Sequence, residues 1–142
     1  PKGFSNKVGT PTLHEHNDKR IHVEGALFAP GDTGLGKFFY VQGGEITPTS
    51  MTLPSINGPV SLKNGDSCNG TPGMLQVFVY QTKGDTFKQM KLDDPARYII
   101  APEVNVPPGD CVIIEFDTPK EKTDKMCLSY RVRQETGKIH GN

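Results

Sequence analysis

The chain has 142 residues with 16 basic and 16 acidic side chains, so its formal net charge is zero. Without a net basic stripe, a nucleic-acid partner is excluded as the leading expectation. No apolar run is long enough to span a bilayer. Glycine (16) and proline (12) are abundant, tryptophan is absent and no long helical periodicity is visible, which favours many turns between short strands.

Residues 1–20 are polar and aperiodic and read as an arm or loop. Ile21 to Ala29 alternates as a first strand, and Pro30-Gly31-Asp32-Thr33-Gly34 follows as a turn. Lys37 to Gln42 is aromatic and β-branched and reads as a second strand. In Phe38-Phe39-Tyr40 at least one ring then points away from one core face. A weaker extended piece reaches Leu53, bracketed by Pro48 and Pro54, and Gly58 to Lys63 is a short strand. Met74 to Gln81 is apolar on both faces and belongs at the centre of a sheet. Lys83-Gly84-Asp85 turns it into a hairpin partner, Thr86 to Leu92. Arg97 to Ala101 reads as another strand.

The last segment, Pro107 to Arg133, reads as a long hairpin. Val112, Ile114 and Phe116 alternate with Cys111, Ile113 and Glu115, and Leu128, Tyr130 and Val132 alternate with Ser129 and Arg131. Setting Val112 opposite Tyr130 places apolar residues together on one face. That register holds Cys111 and Cys127 four residues apart, about 13 Å at the usual strand rise. It therefore predicts that any bridge joins Cys68 to Cys111 or Cys127, and not Cys111 to Cys127.

Together these segments predict an all-β fold, an antiparallel β-sandwich of about eight strands with immunoglobulin-like or jelly-roll topology. The domain would cover residues 21–133, between the 1–20 arm and a 134–142 tail. Three cysteines fit either a secreted protein with one bridge or a cytosolic protein with none. A secreted or surface-exposed setting is the one preferred. The chain starts at Pro1 and so reads as a processed product or a piece of a longer protein. Asn69-Gly70-Thr71 matches the N-glycosylation pattern, a triplet that also occurs often by chance.

His14, His16 and His22, with Glu24 nearby, are the weak candidates for metal ligation, because histidines two apart on a strand share a face. Exposed loop histidines are the simpler reading. Asp32, Asp66 and Asp110 follow glycines in turns and suit turn capping better than calcium. No cysteine or serine has an evident base, and no nucleotide fingerprint is present, so no catalytic residue and no cofactor is expected. The leading functional expectation is a non-enzymatic domain that recognises a protein, or a glycan, through loops or a sheet face. Its binding residues would be Lys120, Glu121, Lys122 and Asp124 in the hairpin loop. A coat or appendage subunit is the alternative, and a metal-dependent enzyme or metal carrier using His14, His16 and His22 is the second.

Overall fold

The computed structural model describes residues 8–9, 13–15, 21–23, 30–100 and 108–141. Its regular structure is mostly short strands, with two short helices. Among the described residues no helix is long and apolar enough to cross a membrane. The chain divides into two compact units, Pro1–Leu62 with Asp94–Pro102, and Lys63–Asp93 with Glu103–Asn142.

In the first unit, β1 (Val8–Gly9), β2 (Leu13–Glu15) and β3 (His22–Val23) form a small antiparallel sheet. Two of these strands lie inside the stretch expected to be an arm. A 3₁₀ turn at Pro30–Thr33 leads into helix α1 (Leu35–Val41). The strand expected at Lys37 to Gln42 is thus a helix. Its apolar residues fit an α period, since Leu35 and Phe39, four apart, are both buried. Phe38 meets Phe39 edge to face, while Tyr40 stays exposed. Gly43 stops the helix in a left-handed conformation (φ 87°), a position that favours glycine.

Of the strand expected at Arg97 to Ala101, Ala101 lies outside the described residues, and the rest is the end of a 3₁₀ turn, Pro95–Arg97, followed by extended chain laid against α1. Leu35 N–H donates to Tyr98 O, and Ile100 N–H to Thr33 O. Gly36 permits this approach, because a Cβ there would lie 2.7 Å from the Ala96 carbonyl oxygen. Strands β4 (Glu45–Ile46), β5 (Ser50–Leu53) and β6 (Val60–Lys63) make a second small sheet.

In the second unit, β7 (Ser67–Cys68) and β8 (Thr71–Pro72) form a two-stranded ribbon. The main sheet contains β9 (Met74–Lys83), β10 (Thr86–Lys91), β11 (Cys111–Asp117) and β12 (His140–Gly141), in the order β11-β9-β10-β12. Its pairings are antiparallel except that β12 runs parallel to β10. As expected, β9 is central, buried from Leu75 to Tyr80, and β10 is its hairpin partner.

The terminal hairpin does not form. Strand β11 pairs with β9, setting Val112 opposite Val79, Ile114 opposite Val77 and Phe116 opposite Leu75. Residues Leu128–Glu135 are helix α2. Its period-two apolar residues do not share one buried face, because Tyr130 is fully buried whereas Leu128 and Val132 are exposed. The expected Cys111/Cys127 separation fails with that register. Cys127 is the N-cap of α2, its Cα lies 5.8 Å from that of Cys111, and the two are disulfide-bonded. Cys68 is the free cysteine.

Nor do the described residues of the expected 134–142 tail, 134–141, stand apart from the fold; Asn142 lies outside the described residues. Ile139 is buried and β12 extends the sheet. Tyr80, Phe87, Cys111, Tyr130 and Ile139 form one core under α2, and the three rings lie at centroid distances of 5.8 Å. In place of an eight-stranded sandwich, the described strands fall into sheets of three, four, three and two strands.

Candidate functional site

Directly opposed residues of an antiparallel pair project from the same face. Glu115 lies opposite Gln76, Cys111 opposite Tyr80, and Tyr80 opposite Gln89. Gln76, Tyr80, Gln89, Glu115 and Cys111 therefore gather on one face of the main sheet. The chain from Thr118 to Cys127 crosses this face without regular structure, as a strap between β11 and α2.

Two side-chain amides hold the strap backbone much as a neighbouring strand would. Gln76 Nε2 donates to the carbonyls of Asp117 and Thr118 (3.3 and 3.0 Å), and its Oε1 accepts from Lys120 N–H (2.8 Å). Gln89 Oε1 accepts from Thr123 N–H (2.9 Å), and its Nε2 donates to Thr123 O (2.8 Å) and to the Tyr80 hydroxyl oxygen (2.8 Å). The Tyr80 hydroxyl donates to Lys125 O at 2.7 Å. Lys91 Nζ donates to Lys120 O at 2.7 Å. The Cys111–Cys127 bond closes the far end.

Beneath the strap, Glu115 is 4% exposed. Its Oε1 accepts from Thr123 Oγ1 (2.9 Å) and pairs with Lys125 Nζ (3.0 Å), while Oε2 lies 3.3 Å from Lys120 Nζ. Burial acts to raise the Glu115 pKa, but bonds from Lys125, Thr123 and Lys120 outweigh it and hold the carboxyl below its ordinary value. Burial, reinforced by Asp124 and Glu115, raises the Tyr80 phenol against the bond from Gln89. Tyr130 is pushed up to about 12, mainly by burial. Both phenols are neutral at physiological pH and available as donors. The Tyr130 hydroxyl lies between the carbonyls of Tyr80 and Gly109.

The four residues expected to bind have different positions. Lys120 is half-buried and turned inward to Glu115 and Asp117. Glu121, Lys122 and Asp124 are exposed on the outer side of the strap. In the first unit the backbone register sets His14 opposite His22, while His16 and Glu24 lie outside the described residues. Asp66 accepts from Lys63 N–H, the turn-capping role expected of it. Among the described residues no group of three or more His, Cys, Asp or Glu is placed to hold a metal ion.

Sequence reasoning missed the anchors Gln76, Tyr80, Gln89 and Glu115. A signal was present: Gln76 and Glu115 each interrupt an apolar run, and a polar residue inside a buried strand needs a specific partner. No protein-family model, curated protein or solved structure matches this chain.

Proposed function

We propose that the protein is a non-catalytic binding module that engages a protein partner through the outer side of the Thr118–Cys127 strap. The observation that supports this reading is preorganisation. The strap backbone is fixed at Lys120, Thr123 and Lys125 by Gln76, Gln89 and Tyr80, and at Cys127 by the disulfide. Glu121, Lys122 and Asp124 are thereby presented from a fixed backbone, so little backbone ordering remains to oppose association. Such an arrangement favours a partner with complementary charges, with glycans as the weaker class of ligand. Partner capture followed by mass spectrometry should recover a protein with wild type and lose it with a Glu121→Ala/Lys122→Ala/Asp124→Ala variant of unchanged thermal midpoint. Undiminished capture by that variant would remove the strap from the reading.

A specific observation favours a second reading, a self-assembling coat or appendage subunit. Leu53, Ile56 and Val60, on and around the β5–β6 connection, are all exposed, with Ile56 at 86% and Val60 at 54%. Grouped exposed apolar side chains mark contact surfaces. Sedimentation at working concentration separates the two: assembly should disappear in Ile56→Ser/Val60→Ser, and a clean wild-type monomer counts against assembly.

A further inference from the structure

We propose that Asn69 is an acceptor for an N-linked oligosaccharide, an inference that does not rest on the strap being a binding surface. The triplet Asn69-Gly70-Thr71 is the required acceptor pattern, and the structure adds three observations that its letters do not carry. First, Asn69 and Gly70 are the two-residue turn of the β7–β8 ribbon, with Cys68 opposite Thr71. Both turn residues have positive φ, 52° and 85°, as the tight hairpin turn favoured by an Asn-Gly pair requires. All three residues of the triplet are exposed, so the carboxamide stands at a tip.

Second, there is room. A Cβ built on Gly70 meets no atom within 4 Å. The Thr71 hydroxyl donates its hydrogen to Cys68 O at 3.2 Å, which leaves its oxygen lone pairs outward. A bulky, hydrated glycan therefore fits this tip without displacing the core.

Third, the Cys111–Cys127 bond is of the kind that forms and persists in an oxidising compartment. In cells that modify Asn-x-Ser/Thr, this is also where the glycosyl donor, an oligosaccharide on a lipid pyrophosphate, is available. In the transfer, Asn69 Nδ2 forms a bond to the anomeric carbon of the first sugar. The bond from that carbon to the pyrophosphate oxygen breaks, the lipid pyrophosphate leaves with the electron pair, and the amide nitrogen gives up one proton. No oxidant or reductant is involved. Pro72 restricts Thr71 to extended backbone, so occupancy should be partial and should rise in Pro72→Ala.

The test is expression of the full chain behind a secretory leader in mammalian cells, with occupancy read on all translocated chain, secreted or retained. Wild type should show a heavier species that collapses on peptide-N-glycosidase treatment, leaving residue 69 as aspartate by peptide mass spectrometry. Asn69→Asp, which tolerates the left-handed turn, and Thr71→Ala should each abolish the heavier species, whereas Thr71→Ser should retain it. Translocated, disulfide-bonded wild type with Asn69 wholly unmodified would overturn the proposal. So would a glycosidase-sensitive species that persists in Asn69→Asp.

Discussion

Glu115 shows how one buried charge can organise a length of irregular chain. Alone it would be costly to bury, but it is paired with Lys120 and Lys125 and accepts from Thr123. Its folded pKa lies below the ordinary glutamate value. Its contribution is therefore fully present above the unfolded pKa and is lost as pH falls through the lower folded value. Urea midpoints measured across the acidic range should fall with pH in wild type. In Glu115→Gln that carboxyl-dependent part of the slope should vanish, with a loss of about 2 kcal/mol at neutral pH. Gly36 makes a second residue-scale case, because a methyl group there collides with the Ala96 backbone. Gly36→Ala should cost about 1–3 kcal/mol, the usual penalty of overpacking, read as a lowered thermal midpoint.

Strap and helix stand or fall together, because the disulfide ties the N-cap of α2 to the first residue of β11. It closes a loop with a sequence separation of 16. A Cys111→Ser/Cys127→Ser variant should lose about 3 kcal/mol in urea unfolding. Hydrogen exchange in that variant should rise first over residues 118–139, while β9 keeps its protection as the central strand. Helix α2 can be tested against the discarded hairpin by substitution at Leu128 and Val132, which are 71% and 47% exposed. Replacing either by lysine should change stability by under about 0.5 kcal/mol, as for ordinary surface positions. In the hairpin register the same changes would bury charge in an apolar face at several times that cost.

At the scale of the whole molecule, the chain leaves the first unit after Leu62, builds part of the second, returns for Asp94–Pro102 and leaves again. The returning segment completes the first unit. Tyr98 O accepts from Leu35, Thr33 O accepts from Ile100, and Ala96 packs on Gly36. A chain ending at residue 62 lacks these contacts, and Leu35, now 1% exposed, would lose part of its cover. We expect residues 1–62 alone to show an unfolded circular dichroism spectrum, and added peptide 94–102 to restore ordered signal. Ordered signal without the peptide would show that the return segment is dispensable.

Local chemistry determined much of this protein from sequence alone. The apolar run of β9, the Lys83-Gly84-Asp85 turn into β10, strand β11 and the strand ending at Lys63 were all legible, because each depends on neighbours close in the chain. Residues 35–41 and 128–135 were not, because runs of seven and eight residues satisfy both a period of two and a helical turn. Tertiary competition resolved the second case. Strand β9 has two hydrogen-bonding edges; β10 takes one as its hairpin partner, and β11, far along the chain, takes the other. Pairing with β9 leaves β11 at the end of the sheet, and Leu128–Glu135, rather than adding there as a strand, closes over the sheet as a helix with Tyr130 inside. That single non-local choice brought Cys127 to Cys111. It also turned Gln76, Gln89 and Glu115 from interruptions in strand patterns into the anchors of the strap.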